Sequence, residues 1–551
     1  MNPFLRWRVR DSGFSLFVAS FKPFFPRASS VALWAAYAAA AVVFAVLCAR
    51  FYLPGKGFTY LVMFGEEESV RYLPELKAAN HYEHPATHGY DGQYYAQIAM
   101  HPQLGDAVVR DAVDGLGYRA RRILFCWTAY GLAGGDPVRA MHIYATQNLV
   151  CWFALAALLL RWFPATNWEN FLRWAGVLFS SGLCSSVTRA LVDGPSLLMI
   201  AGGVALLEAK RPWWSAALLG VAGLGKETNV LAGAALVPVG EKNRGALGRA
   251  ALRLGLVVLP LAIWLVSLRL WIGDTGGAGA RNFAGPFVFY FAKWKEIAVM
   301  HAHDAWHAKL AGLALLALTV QFLFFALRPR WRETWWRVGA AYAALMTVLG
   351  EAVWEGYPGA ALRVLLPMTL AFNLLVPRGR RWWAVLLLGN LSVALAPETF
   401  APPPNPGYAL RGPRALRLGG AEGREVEIAF GENWHGPERV RSDFWRWSGG
   451  SATLAMRNPQ PFALAAEVSF RVQAHDARTV ILRADGRELW RAELKGDQTM
   501  AVTLPDVRLA AGETRWTFET DRPATSPGNG DPREMAFALR NLTVTLTRRA
   551  E

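Results

Sequence analysis

The feature that most constrains this chain is a first apolar run over residues 31–53, nearly free of polar residues and as long as the ~20 positions a helix needs to cross a hydrocarbon core. Such runs recur at 139–161, 170–188, 194–209, 212–224, 228–240, 250–272, 308–327, 337–354, 361–377 and 381–397. With 53% hydrophobic residues, 18% charged ones and a mean hydropathy of +0.19, the chain is too apolar for an ordinary soluble fold. The expectation is a polytopic α-helical membrane protein with about eleven membrane segments. The pair 212–240 is interrupted by Gly225-Lys226-Glu227, so it reads as a re-entrant pair or a broken span, tolerable only where protein or a cavity covers the irregular backbone.

Charge placement sets the expected topology. Arg6, Arg8, Arg10, Lys22 and Arg27 precede the first run, which makes residues 1–30 a cytoplasmic N-terminus. A cleaved signal peptide is not expected, because the apolar stretch starts late and runs a full bilayer width. The later basic loops (Lys210-Arg211, Lys242 to Arg253, Arg328 to Arg337, residues 377–381) fall on that same face if 212–240 goes up and returns. The loops at 54–138, 189–193, 273–307 and 351–360 then face outward, as does the C-terminus. This is the arrangement of a multi-pass protein of a bacterial inner membrane with its outer loops in the periplasm.

The first outer loop, 54–138, carries amphipathic pieces at 70–79, 94–100 and 121–130, read as short interfacial helices. After residue 400 the pattern changes. Residues 401–423 form a linker rich in Pro and Gly, and 424–551 break into short alternating segments at 424–430, 452–456, 463–472, 479–483, 500–504, 515–519 and 536–546. Short strands split by turn residues indicate an antiparallel β-sandwich, here without cysteine to reinforce it.

The net charge of +16 does not indicate nucleic acid, since the arginines sit in short groups between apolar runs. Cys48, Cys126, Cys151 and Cys184 make no CxxC pair and no His/Cys ligand spacing, so neither a disulfide framework nor a zinc site is expected.

Chemistry concentrates in Gly89-Tyr90-Asp91-Gly92-Gln93-Tyr94-Tyr95. Asp91 reads either as a turn or helix-cap aspartate or as a catalytic carboxylate, with glycines that permit close backbone approach and tyrosines that can stack. Asp193, with Arg189 before it and Pro195 after it, is either a helix cap or a second polar centre at an outer helix junction. Lys226 and Glu227 form a structural ion pair closing a hairpin, or a lysine aimed at an anionic phosphate beside a half-helix; both readings stand together. Arg121, Arg122 and Arg363 snorkel to the interface by default, yet Arg363, following Glu351, Glu355 and Tyr357, can also hold a phosphate by bidentate hydrogen bonds. His81, His84 and His88 precede Asp91 and could bind substrate hydroxyls. His301, His303, Asp304 and His307 have metal-like spacing but lack a third convincing ligand and read as an interfacial helix.

These residues resemble the GT-C class of membrane glycosyltransferases, whose relatives include protein O-mannosyltransferases, the aminoarabinose transferase of lipid A and oligosaccharyltransferases. What matches is the order of parts: a first span, an outer loop with an acid at Asp91, interfacial helices, then many spans with a second outer acid at Asp193. The Gly225-Lys226-Glu227-Thr228 and Arg363-Val364-Leu365-Leu366-Pro367 elements are similar to those of bacterial members. The resemblance covers residues 31–400, the expected catalytic domain. It implies an inverting transfer of a sugar from a polyprenyl-phosphate donor to an acceptor hydroxyl of a glycan, lipid or protein on the periplasmic face. In that scheme Asp91 is the base, and His88, Tyr94, Tyr95, Arg122, Arg189, Asp193, Lys226, Glu227, Glu351 and Arg363 bind substrate. Arg363 and Lys226 are expected to stabilise the departing phosphate. The loop has no Asp-x-Asp or Asp-Glu pair, which leaves a divalent ion (Mg or Mn) an open expectation. The sandwich is similar to sugar-binding domains appended to some bacterial members, with Trp434, Trp445 and Trp447 either stacking on sugars or filling its core. Other readings of the whole chain are a flippase, a membrane-anchored sugar-binding protein, and a ligase using a lipid diphosphate donor; no inverted repeat of the transporter kind is visible.

Overall fold

The computed structural model describes residues 30–550 apart from 86, 241–242, 274–278, 357–358, 402, 404–406, 420–423, 441–442, 528–530 and 532. The basic N-terminal residues, Lys242 and Tyr357 lie outside the described residues. The chain divides into two compact units: Met1–Ala49 with Leu61–Leu73 and Glu83–Ala401, and Arg50–Tyr60 with Pro74–Tyr82 and Pro402–Glu551.

The first unit is helical. Among the described residues, four helices are long and apolar enough to cross a membrane: Val31–Ala49, Pro137–Leu159, Arg244–Ile272 and Ala305–Leu327. Their outward faces carry exposed Val42, Val46, Leu259, Ile263 and Val266, surfaces that suit lipid rather than water. A chain with four such helices is a membrane protein. Inward, Phe44 stacks on Trp152 with ring centroids 3.6 Å apart.

Eleven continuous spans do not form among the described residues. The run at 170–188 is two helices, Trp168–Leu178 and Ser181–Thr188, separated where Ser180 leaves helical geometry. The run at 361–377 breaks at Leu365, two residues ahead of Pro367, because a proline ring disfavours helix in the residues before it. At 381–397 short turns alternate around Asn390, which exchanges side-chain amide hydrogen bonds with Asn373 at 2.9 and 3.0 Å. The stretch 212–240 is broken, as its Gly-Lys-Glu interruption suggests: the helix Pro212–Gly223 gives way to a 3₁₀ segment, Glu227–Leu236. Some of these elements are well covered, Ser181–Thr188 with all its residues buried and Leu366–Leu375 with nine of ten, as irregular backbone at such depth requires, whereas Trp383–Gly389 buries only Leu386 and Gly389.

The second unit holds two facing sheets. One runs in the order Thr499–Leu509, Leu464–Ala474, Phe537–Arg549, Asp443–Trp447, Glu438–Val440, with Tyr408–Arg411 added parallel to Phe537–Arg549. The other runs Arg487–Leu494, Arg478–Ala484, Gly512–Thr520, Ala452–Asn458, Glu427–Phe430. Alternation drives the pairing. In Ala452–Asn458 every second side chain is buried, and of these Leu454 and Met456 join Val480, Leu482, Trp516, Phe518 and Phe537 in one core. Asp485 and Gly486, both at positive φ, make the two-residue hairpin turn between paired Ala484 and Arg487. Trp434 lies against Phe430, Phe518 and Phe537 and donates its indole N–H to the Thr453 carbonyl at 2.8 Å. It is therefore a core residue rather than a stacking platform. Trp447 packs edge-on to His475, and Trp445 lies under the Arg540 guanidinium at 4.4 Å.

Candidate functional site

Asp91 opens the helix Asp91–Met100, with Tyr90 as its N-cap, a place where a carboxylate suits the positive end of the helix. Two glycines allow this entry. Gly89 holds φ +77°, and Gly92 lies so close to the backbone carbonyls of Arg189 and Val62 that a Cβ would collide with both. Gln93 fixes the approach. Its carbonyl accepts from Gly65 N–H and Tyr72 OH at 3.0 Å each, and its amide donates to the His88 carbonyl at 2.7 Å. The polar residues of the motif thus divide into one that builds the loop and one, Asp91, that faces out of it with a 34% exposed side chain.

Asp91 Oδ1 meets Arg119 Nη1 at 2.8 Å. Arg119 also forms a two-pronged pair with Asp114 at 2.8 and 3.0 Å, and its guanidinium lies over the rings of Tyr94, Tyr95 and Tyr118. Burial works against this charge, but the Asp114 hydrogen bond and the Asp91 field outweigh it and hold Arg119 above its ordinary pKa. Arg122 donates to Glu227 at 2.9 Å, to Tyr95 OH at 2.7 Å and to Tyr118 OH at 3.2 Å. Its charge too survives burial because of Glu227 first and the two tyrosines next. Burial pushes Tyr95 up to about 12, so it remains a neutral acceptor for Arg122 at physiological pH.

Deeper in the unit, Asp193 opens the helix Asp193–Glu208 with a side chain only 3% exposed. Lys226 donates to its Oδ1, and Arg363 Nη1 donates to its Oδ2 at 3.2 Å. Arg363 Nη2 reaches back to Tyr90 OH at 2.8 Å. A circuit results that closes only through the backbone, at 226–227 and along the Asp91 helix: Tyr90 to Arg363, to Asp193, to Lys226, and Glu227 to Arg122 and to Tyr95. The first turn of the Asp91 helix is pinned at both ends.

Arg189 stands apart from this circuit. Its guanidinium lies 4.8 Å from the Tyr90 ring centroid, and among the described residues it meets no carboxylate. The following residue, Ala190, is at φ +45°, a costly conformation for a residue with a Cβ. It is held by Leu191, whose N–H donates to the Ser186 carbonyl at 2.8 Å and whose carbonyl accepts from Asn148 at 2.7 Å.

Of the expected site residues, the structure gathers Asp91, Tyr94, Tyr95, Arg122, Arg189, Asp193, Lys226, Glu227 and Arg363. His88 pairs instead with Glu67 and Glu68 and is 76% exposed. Glu351 pairs with Arg281 at 3.2 Å, beside Glu355. The residues that sequence reading missed are Arg119, Asp114 and Tyr118. Their signal was an acid and an arginine five apart flanking a tyrosine in the same outer loop. Asp304 caps the helix Ala305–Leu327 by accepting from His307 N–H at 3.1 Å, so residues 301–304 are a turn after the helix Val288–Met300, and His307 stands in the first turn of the next helix. Among the described residues no three His, Cys, Asp or Glu side chains are grouped to hold a metal ion. The acids nearest Asp91 are committed to guanidinium groups, so a divalent ion does not fit this donor set.

No family model matches the chain, and no curated protein matches it. Among solved structures, it is similar to an active-site mutant of a family two carbohydrate esterase from Clostridium thermocellum (10% identity, 23% of this chain, 34% of that one, TM-score 0.16). It is similar also to TmCBM61 bound to β-1,4-galactotriose (11% identity, 26% and 97%, TM-score 0.16), and to the arabinosyltransferase EmbB from Mycobacterium smegmatis (10% identity, 97% and 66%, TM-score 0.25). The chain spans about a third of the esterase's length. Overlaps this loose fix neither its family nor its activity.

Proposed function

We propose that this protein is an inverting glycosyltransferase of the GT-C type, moving a sugar from a polyprenyl phosphate to an acceptor hydroxyl at the periplasmic face of a bacterial inner membrane. The observation that carries the reading is the juxtaposition at the head of one helix. Asp91 is partly exposed and meets Arg119 through Oδ1, and Oδ2 has no partner among the described residues. Arg189, a cation without a carboxylate, sits over the adjacent Tyr90.

In this mechanism Asp91 Oδ2 accepts the proton of the acceptor hydroxyl as its oxygen attacks the anomeric carbon. The bond from that carbon to the phosphate oxygen breaks on the opposite face, inverting the configuration. The departing phosphate carries the charge that the guanidinium of Arg189 stabilises. Arg119 orients Asp91, and Tyr94 lines the approach, while the buried Tyr95 anchors Arg122. Lys226, Arg363, Glu227 and Arg122 act one step back, through the circuit that fixes Tyr90 and Tyr95. A sugar already linked to a lipid is the natural donor outside the inner membrane, where nucleotide sugars are absent.

Purified protein in lipid nanodiscs, given a polyprenyl-phosphate sugar and a hydroxyl acceptor, is expected to release polyprenyl phosphate and a glycosylated acceptor. Donor that is only bound, or carried intact across a proteoliposome membrane, would replace this reading with a sugar-binding protein or a flippase. Transfer only when the donor is instead a polyprenyl-diphosphate-linked glycan, with release of polyprenyl diphosphate, would make it a ligase.

A further inference from the structure

The buried centre beneath the proposed active site has more positive charge than its carboxylate can answer. Lys226 and Arg363, each about nine-tenths buried, share the single carboxylate of Asp193. The other nearby acid, Glu227, is taken by Arg122. An excess of one charge at such depth is costly unless a partner answers it.

A cavity of about 10 Å³ opens among these groups, room for one small sphere. Two hydroxyls line it, Ser196 and Thr228, and among the described residues neither side-chain oxygen has a hydrogen-bond partner. Ser196 is itself 97% buried, with 3% of its surface exposed, and a buried hydroxyl without a partner is uncommon. Asp193 also lines the cavity, and each of its oxygens already accepts from a cation, one from Lys226 and the other from Arg363. The rest of the wall is Asn229, whose amide donates to the Ala222 carbonyl at 2.8 Å, and the apolar Leu197, Ile200, Val364 and Pro367.

We propose that this cavity binds one monatomic anion of chloride size, held by the ammonium of Lys226, the guanidinium of Arg363 and the hydroxyls of Ser196 and Thr228. Donors and positive charge on one side with hydrocarbon on the other suit a weakly hydrated halide. Its occupancy holds Arg363 in place, and Arg363 holds Tyr90, the residue before Asp91. The site is separate from the phosphate position assigned to Arg189, so it stands or falls independently of the transferase reading.

The test uses the full chain in nanodiscs at constant ionic strength. Replacing chloride by gluconate is expected to lower the unfolding temperature by about 2–4 °C, saturably restored by chloride or bromide and not by sulfate or phosphate. Ser196→Ala is expected to raise the half-restoring chloride concentration about tenfold, whereas a merely structural serine would shift both salts alike. Bromide should appear by anomalous scattering between Lys226 and Ser196. Equal stability in chloride and gluconate, protection by phosphate as strong as by chloride, or a cavity free of bromide each overturns the proposal.

Discussion

The two acids that open helices at this site, Asp91 and Asp193, have opposite surroundings. Asp193 is almost wholly enclosed, and both of its oxygens are taken by cations that reach it from distant parts of the sequence. Asp91 keeps a third of its side chain exposed and gives one oxygen to Arg119. Burial with full pairing makes a tie, because removing either side strands a charge. On the proposed reading, partial exposure with a free lone pair makes Asp91 the reagent, because an incoming hydroxyl can reach it. Similar helix positions thus yield one residue that holds the site together and one that is available to act.

The contrast breaks most sharply at the deep acid. Asp193→Ala leaves Lys226 and Arg363 buried without a counter-charge and is expected to cost about 3–5 kcal/mol, read as loss of folded protein by size exclusion in detergent. Folded, stable Asp193→Ala protein would make the deep pair a working part of the site rather than a tie. Next in size, Arg189→Ala removes no ion pair, so folding should hold while transfer falls about 10²-fold, the usual loss for one stabiliser of developing charge. An unchanged turnover number would hand the phosphate to another cation. Gly92→Ala forces a Cβ against the Arg189 and Val62 carbonyls. The expected cost is about 1–3 kcal/mol, with a lowered unfolding temperature and reduced transfer together. Smallest of all, His88→Ala and Glu351→Gln touch only exposed pairs and should leave both stability and transfer within about twofold of the parent. A large loss from either would extend the site beyond the circuit described above.

How much of this was legible beforehand differs between the same regions. Asp91 was readable because its signal is local, an acid between glycines and tyrosines in an outer loop. The tie at Asp193 was readable only as three separate charged residues, since 33 and 170 positions of sequence separate it from Lys226 and Arg363. Arg119 was hidden by its neighbours: Arg121 and Arg122, adjacent in sequence, drew the attention that Arg119 deserved by geometry. Phosphate roles given to Lys226 and Arg363 followed from their expected outer position, and their pairing with Asp193 depends on a fold that hydropathy does not specify. Of the roughly eleven expected segments, only four are continuous helices long enough to span among the described residues, since apolar runs broken at Ser180, Leu365 and Asn390 look continuous to a hydropathy window. In the second unit the strands with strict alternation were evident, whereas Asp443–Trp447 is half-buried throughout and Arg487–Leu494 buries only Leu494, so both gave little signal.

The central claim is that the shallow acid performs the chemistry, and Asp91→Asn tests it most directly, because the amide keeps shape and polarity while removing the base. Single-turnover release of polyprenyl phosphate, measured beside the unfolding temperature of the same sample, is expected to fall by about 10²-fold or more with the unfolding temperature preserved. Transfer at the parental rate in folded Asp91→Asn protein would contradict the account.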